Sequence, residues 1–126
     1  MDDRIRRALS RGHLIDITTT GRRSGEPRRV EIVFHVFDGR IYISGAPWSE
    51  RRRSWLANLE TDPSFTFHLK GAVSADLPAT ARIITDEAER REIMSRIIAT
   101  SWRNQDLETM VAYSPLIEVS IIDLAA

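Results

Sequence analysis

Four arginines, one serine and two glycines fall within the nine residues from Gly21 to Arg29, between two apolar stretches. A glycine turn exposes backbone N–H groups and arginine guanidiniums present flat forks of donors, so these residue types together make a concave site for phosphate or carboxylate. The same composition suits a solvated charged hairpin, and residue type and spacing leave both readings open. A second constellation is Ser44-Gly45 at a strand end, followed by Arg51, Arg52, Arg53, Trp55 and Asn58. Small residues let a flat ring approach the backbone, while an indole and an amide three residues apart on a helix can wall it and bond to it. In the competing reading Trp55 is a core residue and the arginine triplet is surface.

Many enzyme classes are excluded by absent signatures: there is no Walker loop, no G-x-G-x-x-G, no H-E-x-x-H and no G-x-S-x-G. His13, His35 and His68 are scattered without metal-ligand spacing, so they read as satisfied or surface histidines and no metal is expected. The acids Asp86, Glu87, Glu89 and Glu92 are accounted for by a helix dipole and solvent rather than by catalysis. With no cysteine there is no disulfide, thiolate metal site or thiol nucleophile, so redox chemistry needs a borrowed cofactor.

The elements that must position these residues follow from patterning. The 126 residues suit one domain, 1–126, with 42% apolar and 29% charged residues in an ordinary globular balance. No apolar run approaches the roughly 20 residues of a membrane helix and no signal-peptide stretch opens the chain, so a cytoplasmic protein without an integral membrane segment is expected. Net charge is zero, yet residues 1–53 hold twelve arginines against seven acids and the remainder holds six basic groups against eleven acids. Lys70 is the only lysine. A nucleic-acid partner is disfavoured, because exposed aromatics are not interleaved with the arginines.

Asp2 to Leu9 reads as a short amphipathic helix, Leu14 to Thr20 as a strand, and Gly21 to Pro27 as a turn. From Val30 the chain alternates, although its second face (Glu31, Val33, His35, Phe37) is also fairly apolar; Asp38-Gly39 then turns a hairpin into Ile41 to Ile43. A helix follows from about Ser49 to Leu59, capped by Ser49 and stopped by Asp62-Pro63. Phe65 to Lys70 and Ala79 to Ile84 form a second hairpin, Asp86 and Glu89 open a longer helix, and Leu116 to Ile122 closes the chain as a strand. Six strands joined mainly by hairpins, with about three helices, predict an α+β antiparallel barrel rather than a doubly wound sheet.

Two motifs carry a family resemblance: T-T-T-G-R-R-S-G-E-P-R at Thr18 to Arg28, and W-L-A-N-L-E-T-D-P at Trp55 to Pro63 after D-G-R-I-Y-I-S-G at Asp38 to Gly45. The chain resembles the deazaflavin-dependent nitroreductases of the flavin/deazaflavin oxidoreductase superfamily, relatives of the pyridoxamine phosphate oxidase-like split barrels. The resemblance spans nearly the whole chain and implies a six-stranded split β-barrel. It implies that Arg22, Arg23, Ser24 and Arg28, with Gly25 in the same turn, hold a cofactor's phosphate-bearing tail. Ser44 and Gly45 would face the ring, Trp55 and Asn58 would complete its wall, and Ser44 and Tyr113 are the catalytic candidates. The implied chemistry is hydride transfer from reduced coenzyme F-420 to a small-molecule acceptor: a quinone, nitroaromatic or activated alkene. An arginine turn would equally grip FMN, and a non-catalytic carrier of deazaflavin, haem or lipid would use the same groove. Relatives commonly carry a lysine after the strand-end serine, where this chain has Gly45-Ala46-Pro47-Trp48; Arg51 to Arg53 are the expected substitute. Split-barrel relatives commonly form homodimers.

Overall fold

The computed structural model describes residues 1–47 and 50–122, with residues 50–53 described by their backbone alone. Six antiparallel strands close a barrel in the order β1-β2-β3-β6-β5-β4. They are β1 (Leu14–Thr20), β2 (Pro27–Phe37), β3 (Arg40–Ser44), β4 (Ser64–Leu69), β5 (Ala75–Ile83) and β6 (Leu116–Ile121). The helices are α1 (Asp3–Leu9), α2 (Glu50–Thr61), α3 (Glu87–Thr100) and α4 (Leu107–Tyr113). The α+β antiparallel barrel read from the alternation is therefore the fold.

Period-two alternation sends Ile15, Ile17, Ile32, Phe34, Ile43 and Phe67 into one interior. Phe34 and Phe67 meet there edge to face at 5.2 Å, both fully buried, each contributing about 2–3 kcal/mol of apolar transfer. Trp55 and Leu59, four apart on α2, join this interior and fix the helix over one end of the barrel. The Asp38-Gly39 loop has φ of 54° and 76°, the paired positive values of a two-residue hairpin between Phe37 and Arg40.

The apolar second face of β2 has its explanation in a separate cluster. Tyr42, Ile84 and Leu116 on the outer barrel wall pack against Ile93, Met94 and Ile97 of α3 and Met110 and Val111 of α4, with Phe37 and Trp102 alongside. The barrel wall between β2 and β6 is thus apolar on both sides.

Three readings from patterning are corrected. Helix α4 was not expected: it has only seven residues, and its cap is Asp106, whose carboxylate accepts from the Thr109 backbone N–H and hydroxyl instead of pairing with a Glu or Gln. Strand β5 starts at Ala75, not Ala79, because Pro78 interrupts the pattern without interrupting the ladder; its carbonyl accepts from Ile122 N at 2.9 Å. Strand β2 starts at Pro27, so Arg28 and Arg29 stand on a strand, opposite Thr19 and Thr18.

That early start gives the barrel its opening. β2 has eleven residues and β3 only five, so β3 pairs with Phe34 to Phe37 alone. Residues 27–33 of β2 pair with β1, and among the described residues no strand pairs with their other edge.

Candidate functional site

The arginine turn is held from inside. Gly21 N donates to Glu26 O and Gly25 N to Gly21 O, both at 2.8 Å, and Ser24 Oγ accepts from Glu26 N at 3.1 Å. Gly25 takes φ 71°, which glycine adopts without strain, and a Cβ on Gly21 would stand 2.7 Å from Ser24 Oγ and 3.1 Å from Glu26 O, so a side chain there would displace the serine. Asn58, 2% exposed on α2, fastens this turn: its Oδ1 accepts from Arg22 N and Arg22 Nη1, both at 3.1 Å, and its Nδ2 donates to Thr19 Oγ1 at 3.1 Å. A buried amide with three satisfied bonds locks the relative position of strand, turn and helix.

The four arginines divide by partner. Arg22 is engaged with Asn58 and, at 3.5 Å, with Ser54 O; Arg29 pairs with Asp16 at 2.9 Å. Asp16 also accepts from Lys70 at 2.9 Å, and this bond chiefly holds its carboxyl below the usual carboxylate range. Among the described residues Arg23 and Arg28 have no carboxylate or carbonyl partner. They are the turn's uncommitted cations.

A groove of about 840 Å³ runs along the free edge of β2 under α2, lined by Arg28, Val30, Ile32, Ser54, Trp55 and Asn58 among others. It meets a smaller hollow of about 160 Å³ formed by the turn itself, including Arg22, Arg23 and Ser24; Arg28, Ser54 and Asn58 line both. The result is a channel of mixed walls, with Val30, Ile32 and Trp55 beside Arg29 and Glu31, and the turn's guanidiniums at one end. Trp55 is 2% exposed, and its Nε1 is buried without an acceptor, an uncompensated donor beside the groove.

The structure therefore brings Arg22, Arg23, Ser24, Arg28, Trp55 and Asn58 together, with Gly25 at the turn's tip. Ser44, Gly45 and Tyr113 do not line this groove. Ser44 is buried and donates its hydroxyl proton to Pro115 O at 2.6 Å, tying β3 to the loop between α4 and β6. Gly45 borders a separate hollow of about 200 Å³ with Trp102, Gln105 and Met110. Tyr113, at the end of α4, is 52% exposed. The expected charge of Arg51 to Arg53 and the capping Ser49 lie outside the described side chains.

Patterning missed Pro27, Val30, Ile32 and Ser54 as groove residues; the length mismatch between β2 and β3 is the signal that would have exposed them. It also missed a chain of hydrogen bonds across the outer sheet, Thr18 Oγ1 to His68 Nε2 and His68 Nδ1 to Asp76 Oδ1, each 2.7 Å. His35 is buried against Trp102, with ring centroids 5.2 Å apart, and its Nε2 has no partner; burial drives its pKa down to about 4. No cluster of metal-ligating side chains occurs among the described residues.

Residues 2–119 match the family model of F420H(2)-dependent quinone reductase. The chain belongs to that family. Solved structures place the chain in a wider fold group. It is similar to the conserved hypothetical protein Rv2991 from Mycobacterium tuberculosis, with a TM-score of 0.71 at 16% identity over 98% of this chain and 81% of that one. It is similar to HutZ, the heme storage protein from Vibrio cholerae, with a TM-score of 0.69 at 10% identity over 97% and 90% of the two chains. An F420-H2 dependent reductase, FDR-A, superimposes with a TM-score of 0.55 at 19% identity over 85% and 93%. At these identities the likenesses concern the split-barrel fold alone. No described helix is long and apolar enough to cross a membrane.

Proposed function

We propose that the protein is an oxidoreductase that binds reduced coenzyme F-420 in the groove along the free edge of β2 and passes a hydride to a quinone or another electron-poor acceptor. The observation that carries this reading is the joining of a channel partly walled by Val30, Ile32 and Trp55 to a preorganised turn whose Arg23 and Arg28 are uncommitted. The residues present fit such a cofactor. A flat ring needs apolar walls and a few directed polar groups, which Val30, Ile32 and the orphaned Nε1 of Trp55 supply; an anionic tail needs unpaired guanidiniums, which the turn supplies.

The deazaflavin, when bound, provides the hydride. The chain's own part is binding and orientation. Arg23 and Arg28 grip the tail, Ser24 and Gly25 shape the turn, Trp55 forms the wall, and Asn58 and Arg22 act as positioning residues that keep the turn on α2. Because Asn58 spends its amide on Arg22 and Thr19, its contribution passes through the turn and not through direct contact with the ring. Ser44 serves as a fastener for the α4–β6 loop.

Parallel titration of the purified protein with oxidised F-420 and with FMN, followed by turnover of the reduced tighter ligand with menadione, tests the reading. The expected result is saturable F-420 binding and menadione reduction. Tight binding without turnover identifies a carrier, and failure to bind F-420 overturns the proposal.

A further inference from the structure

The excess of arginine in the first part of the chain is not exhausted by the turn at Gly21. A second groove, about 780 Å³, lies between α1 with its following loop and the β4–β5 turn, with Arg4, Arg7 and Arg11 on one wall and Lys70, Gly71 and Ala72 on the other. Arg4 and Arg7 are three residues apart and share a helix face, and Arg11 follows one turn later; all three are exposed.

Their arrangement is unfavourable in isolation. Like charges at this spacing repel, and Arg4 stands in the first turn of α1, where the helix dipole disfavours a cation. The dipole accounts for Arg7 in the last turn but not for Arg4, nor for Arg11 beyond the helix. Among the described residues none of the three side chains pairs with a carboxylate; Arg4 alone has a contact, a limiting 3.5 Å to Ala72 O. Lys70, by contrast, is already engaged by Asp16 and Glu31.

The groove is also fixed in shape. A Cβ on Gly12 would stand 2.3 Å from Phe34 O, and Phe34 N donates to His13 O at 3.1 Å, so the arginine-bearing loop lies directly on β2. The opposite wall turns at Gly71 with φ 95°. His13 Nδ1 bonds Arg11 O at 2.8 Å, which fixes the ring at the groove's edge. Fixed walls and guanidinium forks without carboxylate partners along one groove are what recognition of a multiply charged oxyanion requires.

We infer that this groove is a second anion site, distinct from the Gly21 turn, that takes a phosphate-bearing ligand through Arg4, Arg7 and Arg11. The inference stands independently of the proposed reductase chemistry. Backbone amide NMR of the whole protein during titration with inorganic pyrophosphate separates the two sites. The Gly12 and Gly71 signals are expected to shift saturably, and Arg4→Gln/Arg7→Gln to weaken that response about tenfold or more, the worth of at least one of the two charge-assisted pairs it removes, while Gly21 and Gly25 respond as before. Unmoved Gly12 and Gly71 signals, or an unweakened response in the variant, would overturn the site. Sedimentation with phosphatidylglycerol and phosphatidylcholine vesicles then names the source. Binding to the anionic vesicles alone, lost in the variant, points to a lipid headgroup; pyrophosphate binding without vesicle binding points to a soluble phosphate ester.

Discussion

The two halves of β2 meet different fates. Residues 27–33 pair with β1 and border the groove with Arg28 uncommitted, whereas Phe34 to Phe37 pair with β3, Phe34 N also bonds His13 O, and Phe37 packs toward α3 and α4. One strand thus passes from an open, cationic segment to a closed, apolar one within a few residues. The difference teaches that a mismatch in strand length leaves a groove along one strand of a closed barrel while the rest of the wall carries the stability. Each experiment below strains one half and watches the other.

The largest effect belongs to the closed half. Phe34→Ala removes a fully buried ring that touches both Phe67 and His13, and a loss of about 4 kcal/mol in unfolding free energy is expected from denaturant titration. A loss below about 1 kcal/mol would mean that the interior is not packed as described.

Acid is the next strain. His35 is held neutral in the folded protein, with its pKa lowered to about 4, while the unfolded chain takes up a proton near the ordinary value of 6.5. Above pH 6.5 neither state is protonated there and no penalty exists. As pH falls toward 4 the unfolded state gains the proton first, so stability declines by about 2 kcal/mol by pH 5 and about 3 kcal/mol by pH 4, then levels for this group. Thermal melts of His35→Phe should lose the slope between pH 6.5 and 5, a window above the titration of Asp16 and Glu89, whose carboxyls are both held low. An unchanged slope would place the sensitivity elsewhere.

At the join between α2 and the turn, Asn58→Leu leaves the Arg22 N–H and the buried Thr19 hydroxyl without their partner. The expected cost is about 2 kcal/mol, and F-420 affinity should fall as the turn loosens. A change in stability with no change in affinity would separate the turn from binding. The smallest effect is Ser44→Ala, which deletes one hydroxyl bond to Pro115 and should cost about 1 kcal/mol with menadione turnover preserved. Loss of turnover at unchanged stability would instead make Ser44 the proton donor.

How much of this was legible depended on whether the cause was local. Ile15, Ile17, Phe65 and Phe67 announce their strands by period two, and Asp38-Gly39 announces its hairpin, because neighbouring side chains and a single turn decide these features. The turn at Gly21 was legible as an anion site or a charged hairpin, but not which arginines were free. That depends on Asp16 and Asn58, which reach Arg29 and Arg22 from other elements. Ser44 looked available at a strand end; the carbonyl that claims its proton lies 71 residues later, beyond anything local spacing encodes. Helix α4, seven residues like α1, hid because its Asp106 cap has Thr109 and not a Glu or Gln three residues on.

The central claim is that uncommitted guanidiniums at the open end of β2 hold the tail of a deazaflavin. Its most direct test is a four-way comparison of binding constants: wild type and Arg23→Gln/Arg28→Gln, each titrated with oxidised F-420 and with the same deazaflavin lacking its phosphate and everything beyond. The account predicts that wild type prefers the intact cofactor by about a hundredfold, as two charge-assisted pairs would give, and that the double variant loses nearly all of that preference at unchanged thermal stability. A preference that survives in the double variant would contradict it.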